Sequence, residues 1–252
     1  AIGGLLIATG GAALTFWIDG LSYLVSVLCM VMIPNPKRMI EASARPSVGW
    51  TSIKAGFDYA WKRPAIMGTY VIDILAMTFC FPMALFPALA ETAGGPTKLG
   101  PLYATISVGS LVASIFSGWT YRQRRHGALV VMAALGWCVF VFAFAGTINY
   151  SYWFALCLLA AAGFADMISV MFRFTIWNEI IPDSHRGRLA GIEMISYMTG
   201  PLLGNTILGY LASVTSPQIA LSCGAILSFV SIIIATVWLR PFWDYQATER
   251  AA

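Results

Sequence analysis

Five ionisable side chains fall inside long apolar runs of this sequence: Asp19, Asp73, Asp166, Arg173 and Glu193. At the centre of a membrane helix such a charge costs on the order of 2.5–3.5 kcal/mol on insertion scales, so each one is a functional candidate. Asp166 and Arg173 stand seven residues apart, which on a helix places them on one face about two turns apart. A neighbouring cation favours an ionised carboxylate, while desolvation favours the neutral form. That opposition suits a group that takes up and releases a proton in each cycle. Asp73, Asp166 and Asp19 are therefore candidates for proton coupling, with structural pairing as the alternative for Asp73 and Asp166. Arg173 and Glu193, together with Arg186 and Arg188, are candidates for charge pairs that hold a gate shut and break on opening.

Other chemistry is poorly supplied. The sequence has no GxxxxGK[ST] phosphate loop, no HExxH helix and no GxSxG elbow, so neither ATP hydrolysis nor a membrane-embedded enzyme is expected. Cys29, Cys80, Cys138, Cys157 and Cys223 all fall in apolar runs without a CxxC pair, and His126 and His185 fall in loops. Free thiols, no metal site and no cofactor are the expectation. The aromatic residues Tyr70, Phe79, Tyr103, Phe172 and Tyr197 could line a cavity for a ring-bearing substrate, although most membrane aromatics pack or anchor at the interface. Trp153 and Trp238, at helix ends, read as such anchors. Gly200 and Gly204 have the spacing that permits close helix approach, and Pro201 between them favours a kink. Ser110, Ser114 and Gly118 form a second small-residue stripe, and Pro82 and Pro87 suggest a bent helix.

The elements that must hold these residues follow from composition. Only 10% of the 252 residues are charged and 59% are apolar, whereas a soluble domain has about 25% charged residues. A bilayer-spanning helix needs about 20 mainly apolar residues. Seven runs qualify, at 12–33, 66–90, 101–120, 128–147, 152–176, 189–212 and 217–239, and 1–10 reads as the tail of another span. None alternates like a barrel strand. The fold class is therefore an all-α membrane protein. Lys37, Arg38, Arg45, Lys54, Lys62, Arg63, Arg122, Arg124, Arg125, Arg186, Arg188, Arg240 and Arg250 all belong to connections on one side, while the opposite side has Lys98. The positive-inside rule puts the basic side in the cytoplasm. The net charge of +4 is thus a topology signal, and no nucleic-acid partner is expected from basic residues so scattered. Within 34–65, Pro34 and Pro36 stop the preceding helix. Trp50, Ile53, Phe57 and Trp61 then form one stripe opposite Lys54, Asp58 and Lys62, the pattern of a helix lying in the membrane interface.

The two ends of the chain look alike. AIGGLLIATGG followed by LSYLVS near the start matches GPLLGNTILGYLA followed by LSFVS near the end. Parallel repeats of six-helix halves mark the major facilitator architecture. With SIKAGFDYAWKRP, LFPALAE, LGPLYATISVGSLVASIFSGW, RRHGALVVMAALG and IPDSHRGRLAGIE, the chain resembles the enterobactin-exporter branch of the major facilitator superfamily. The resemblance implies a helical bundle of which this chain is the C-terminal half plus the end of the N-terminal half. Residues 1–33 would be part of helix 5 and helix 6, 34–65 the cytoplasmic linker, 66–240 helices 7–12, and 241–252 a cytoplasmic tail. The missing N-terminal helices of the same protein would be its partner. Gly3 and Gly4 would be the first-half counterparts of the GPxxG element at Gly200, Pro201 and Gly204. The implied activity is proton-coupled export of a siderophore or, in neighbouring branches, of macrolides and other drugs, across the bacterial inner membrane. A non-transporting membrane sensor is the more distant alternative. One departure stands out: SGWTYRQRRHG keeps Gly118 and the basic cluster of the loop between helices 8 and 9 but lacks the acid usual there.

Overall fold

In hydrocarbon no water satisfies backbone N–H and C=O groups, so an apolar run that crosses a bilayer closes its hydrogen bonds within itself as a helix. A computed structural model describes residues 2–33 and 50–246, and the side chains of these apart from 2–12, 50–53, 55, 183–186 and 188. Among the described residues every regular element is helical. The chain divides into two units, Ala1–Val48 and Gly49–Ala252.

The first unit holds α1, Ile2–Met32. Two helices, one ending near residue 10 and one starting near 12, are expected from the sequence; the chain instead runs as one helix of 31 residues. No proline or polar turn residue interrupts this stretch, and apolar surroundings tolerate Gly10 and Gly11 within a helix. The linker residues 34–49 lie outside the described residues.

The second unit contains α2 (Trp50–Trp61), α3 (Pro64–Cys80), α4 (Phe86–Thr92), α5 (Leu99–Ile115), α6 (His126–Thr147), α7 (Tyr152–Ile180), α8 (Asp183–Val214), α9 (Pro217–Trp238) and α10 (Arg240–Trp243). α7 packs against α5 and α6, α6 against α9 and α3, and α8 against α3 and α9. Trp137, Phe86, Phe144, Leu159 and Ile72 are fully buried between them. The outside is apolar too: Phe142, Leu202, Ile226, Ile234 and Val237 are exposed. An apolar belt around an apolar core is what a lipid-solvated bundle requires, because no hydrophobic contrast with the solvent need be hidden. Six described stretches are long and apolar enough to span a membrane. The expected seventh, 189–212, is helical within α8 but is not among them, because Glu193, Asn205 and several hydroxyls dilute its apolar content.

Helices approach one another at glycines. A Cβ on Gly109 of α5 would overlap the Ala160 carbonyl of α7, and one on Gly163 would overlap the Ile106 carbonyl. Ser110 donates to Gly163 O at 3.1 Å across the same seam. The small-residue stripe expected at Ser110, Ser114 and Gly118 is thus used at its first member, whereas Gly118 faces open space beyond the end of α5. Helix α3 ends at Cys80, before Phe81-Pro82, and resumes as α4 through a short 3-10 turn. The break leaves the Cys80 carbonyl without a helical partner, and Trp137 Nε1 donates to it at 3.1 Å.

Two flanking pieces join the bundle where sequence reading leaves them apart. α2 packs on α8 and α3 through Gly56 and Ala60, and Tyr59 OH donates to Ile180 O at 3.2 Å. Phe57 and Trp61 stack with ring centroids 5.6 Å apart and remain exposed. Phe57 and Trp61 therefore point away from the bundle, and Gly56, Tyr59 and Ala60 lie on the contact side. The segment 241–252, read as a cytoplasmic tail, is packed against the bundle as far as Tyr245. Phe242 is fully buried in space left by Gly68 and Gly127, neither of which could carry a Cβ there.

Gly109→Val and Gly163→Val are expected to lower the thermal midpoint of the detergent-solubilised chain by several degrees, since overpacking typically costs about 1–3 kcal/mol. Gly146→Ala, with nothing near its Cβ position, serves as the unaffected control. Equal midpoints for all three would show that the α5–α7 seam is not closely packed.

Candidate functional site: an intramembrane charge cluster

The bundle brings together four of the five charges that its apolar runs contain. Asp73 lies nine residues into α3, about 14 Å along the axis at 1.5 Å per residue. Arg173 on α7 reaches across to it, and the two side chains form an ion pair at 11% and 12% exposure. Asp166, two turns away on α7, is half-buried and interacts electrostatically with both Arg173 and Asp73. Glu193 on α8 does the same from the third helix. Because α8 begins at Asp183, Glu193 is ten residues into its helix rather than the single turn expected from a span starting at 189. Arg173 Nε is buried without a hydrogen-bond partner among the described residues. Asp19 stands apart, exposed on α1 in the first unit, with Ser22 Oγ donating to its backbone carbonyl at 2.7 Å.

The pair is reinforced from neighbouring turns. Trp177 Nε1 donates to Thr69 Oγ1 at 2.8 Å, tying α7 to α3 one turn from Arg173. α8 approaches α3 through Gly204, whose missing Cβ would fall against the carbonyls of Met77 and Thr78, and through Gly200 beside Met77. The helix continues through Pro201 without a break. The side chains of Arg186 and Arg188 lie outside the described ones, as do Gly3 and Gly4; of the other two gate candidates, Arg173 pairs with Asp73 and Glu193 lies within its electrostatic reach.

A cleft of about 150 Å³ opens beside the cluster between α3, α7 and α8. Its wall holds the rings of Tyr70, Phe174 and Trp177, the Asn178 amide and the Glu193 carboxylate. Of the five aromatic residues singled out from the sequence, Tyr70 lines this cleft. Phe172 is instead fully buried against the rings of Trp119 and His126, so it belongs to the core. Tyr103 is exposed and donates to Met83 O at 3.3 Å. Phe79 sits against Gly224 of α9, and Tyr197 is exposed on α8.

One polar group is invisible to sequence reading. His126, placed in a loop by the apolar pattern, is the first residue of α6 and is buried. Its Nδ1 lies 3.8 Å from the Glu179 carboxylate, and Tyr245 OH donates to the same carboxylate at 3.0 Å. Burial, and then Glu179, push the Tyr245 phenol well above its ordinary range. These residues come from three distant segments, and only the folding of 241–246 back onto the bundle unites them. The signal that could have marked them is Glu179, an acid just past the end of the run 152–176.

Chemically, among the described side chains three carboxylates lie around one guanidinium at the junction of α3, α7 and α8. A set with that imbalance can exchange protons or admit a compensating cation. The comparisons with known proteins bear on which kind of molecule uses it. Residues 1–251 match the family described as transmembrane secretion effector, within the major facilitator superfamily. The chain belongs to that family. Relatives named enterobactin exporter EntS, from Escherichia coli O81 (strain ED1a) and Shigella boydii serotype 18 (strain CDC 3083-94 / BS512), are each 26% identical to it over 245 residues. Those matches cover 96% of this chain and 58% of each relative, so the chain spans little more than half their length. A multi-pass membrane bundle is common to the family and to the helices described above.

Removing one partner of a buried ion pair typically costs about 3–5 kcal/mol, whereas replacing both by apolar groups is often neutral. Asp73→Leu and Arg173→Met are therefore each expected to lower the thermal midpoint strongly, and the double variant to recover most of the loss. The readout is the midpoint of detergent-solubilised protein by fluorescence-detected size exclusion. Unchanged single variants would remove the pair from the list of structural contacts.

Proposed function

We propose that this chain is the C-terminal part of a secondary exporter in the bacterial inner membrane. It moves amphiphilic small molecules outward by alternating access and is driven by protons. The single observation that carries the coupling is the charge cluster: beyond the Asp73–Arg173 pair, Asp166 and Glu193 lie in the bundle within the electrostatic reach of that one described guanidinium. In low dielectric such carboxylates are the groups whose protonation changes the helix contacts most. In this reading Asp166 takes the coupling proton. Arg173 trades between carboxylates, and Glu193 changes partner as the site opens. The basic connections face the cytoplasm, so α2 and the segment after α9 are cytoplasmic and the cleft opens near that side. The missing helices of the same protein complete the cavity.

The name of the relatives, enterobactin exporter, supports a catecholate siderophore as substrate. A second reading, efflux of a macrolide or other drug, is favoured by one observation: the cleft carries a carboxylate and three rings. The readings separate in a cell that makes a catecholate siderophore but lacks its own exporter. Expression of the whole protein should restore secretion of the siderophore in the first case. In the second it should raise resistance to drugs while the siderophore stays inside. Absence of both phenotypes would sink the exporter reading.

Coupling is tested in proteoliposomes of the whole protein. Asp166→Asn should abolish uptake driven by an imposed proton gradient while leaving substrate equilibration down its own gradient. Loss of at least about tenfold is expected, the size of a removed proton-transfer group. Full gradient-driven uptake by Asp166→Asn would exclude Asp166 as the proton carrier.

A further inference from the structure

We propose that His126 is a proton-binding site apart from the intramembrane cluster, and that its charged form latches the segment 241–246 onto the start of α6 and the end of α7 through Glu179. The inference goes beyond the exporter reading and does not depend on it. Imidazole is the side chain whose ordinary charge change falls between about pH 5 and 8. The ring is buried at the first residue of α6. Its Nε2 lies 3.0 Å from the Gln123 carbonyl oxygen, which can only accept, so this nitrogen carries a hydrogen. Its Nδ1 is buried with no hydrogen-bond partner among the described residues, 3.8 Å from Glu179 Oε2. In the neutral ring Nδ1 is then an acceptor facing an acceptor. A second proton, on Nδ1, turns that contact into a charge-assisted hydrogen bond, which takes a length of about 2.7–2.9 Å. The Phe172 ring, with its centroid 5.2 Å from the imidazole, adds π surface to the same cation.

The carboxylate oxygen that would receive this proton also holds the segment. Tyr245 OH donates to Glu179 Oε2 at 3.0 Å, and Gly127 N–H donates to Tyr245 O at 3.4 Å. Phe242 fills the space left at Gly68 and Gly127. Undocking would admit water to His126 and Glu179, and in water an ion pair is worth little. The docked state therefore gains a bond on protonation that the undocked state lacks. Docking is tighter at low pH and loosens as pH rises through the imidazole range. The charged groups on the surrounding elements are few. α6 packs on α3, α7, α9 and α10. α9 carries no acid or base. Asp73 of α3 is paired with Arg173 of α7, Asp166 lies within the electrostatic reach of both, and Glu179 faces His126. Arg240 and Asp244 are exposed, as are Arg124 and Arg125 just before the ring. Asp183, His185, Arg186 and Arg188 belong to α8, which packs on α2, α3 and α9.

The test uses the whole protein in detergent with nitrogen-15 histidine, in which His126→Gln identifies the ring by the resonances it removes. At about pH 6 both nitrogens of His126 are expected to be protonated. In Glu179→Gln the imidazolium fraction at about pH 7 should fall at least threefold. Deuterium exchange of the amides of 242–246, corrected for intrinsic chemistry, should be at least about threefold slower at pH 6 than at pH 8. That ratio should vanish in Glu179→Gln. Tyr245→Phe should speed exchange at both pH values while His126 still charges. A ring that stays neutral at about pH 6, or exchange without a pH ratio, would overturn the proposal. So would an imidazolium fraction unchanged by Glu179→Gln, the result expected if a side chain of α8 supplies the counter-charge of Glu179. Where Glu179→Gln does not yield folded protein, the nitrogen resonances and the exchange ratio of the unaltered protein decide. Neither readout needs transport. Failure here leaves the exporter reading standing, and a latch that titrates in a protein that exports nothing sinks the exporter reading alone.

Discussion

One guanidinium holds the centre of this bundle together electrically. Arg173 is paired with Asp73 across the α3–α7 contact, and Asp166 and Glu193 lie within the reach of both. In water such an arrangement would be weak and screened. Within a lipid-solvated bundle each uncompensated charge is expensive, so the state of every carboxylate depends on the others. The helices are arranged so that this dependence is unavoidable. Asp73, Arg173 and Glu193 come from three different helices that have no reason to meet except through packing.

Packing at that junction is done by absence of side chains. Gly109 and Gly163 let α5 press on α7, Gly200 and Gly204 let α8 press on α3, and Gly224 lets α9 press on the Phe79 carbonyl. Between lipid-facing helices the hydrophobic effect gives little net attraction, so close backbone contact and hydrogen bonds across helices must supply it. The Trp177–Thr69 and Ser110–Gly163 bonds do so near the charges and along the α5 seam. The interruption of α3 at Phe81-Pro82 exposes a carbonyl that Trp137 then satisfies, which locks the C-terminal end of α3 onto α6.

Much of this was legible in the sequence, for a physical reason. Lipid demands long apolar runs, so the span limits are written in composition; His126–Thr147 and Pro217–Trp238 lie within two residues of the runs 128–147 and 217–239. Intramembrane charge is rare for the same reason, and listing Asp73, Asp166, Arg173 and Glu193 already names the cluster. Spacing could join Asp166 to Arg173 on one helix. It could not pair Arg173 with Asp73, a hundred residues away, because helix rotation and neighbour choice are set by packing. The same limit hid the His126–Glu179–Tyr245 group and the burial of Phe242. It also misread Phe172, whose ring faces the core. In α2 the amphipathic pattern identified the helix but not its contact face, since the small residues Gly56 and Ala60, which give little hydrophobic signal, are the buried ones.

The two polar groups constrain each other through α7. Glu179, near the end of that helix, is held by Tyr245 and lies beside His126, while Phe242 fills the space at Gly68 of α3 and Gly127 of α6. α7 is thus gripped along its length by α5 and α6 and at its end by the segment after α9. α8 is tied less: among the described residues it meets α3 through Gly200, Gly204 and the single Tyr70–Leu189 hydrogen bond, and α9 through Gly224 and Leu208. A change in the charge cluster is therefore met more cheaply by α8 than by α7. The separation of Glu193 from the Asp73–Arg173 pair is then the distance most open to change, and it is the one that a proton at Glu193 would directly affect.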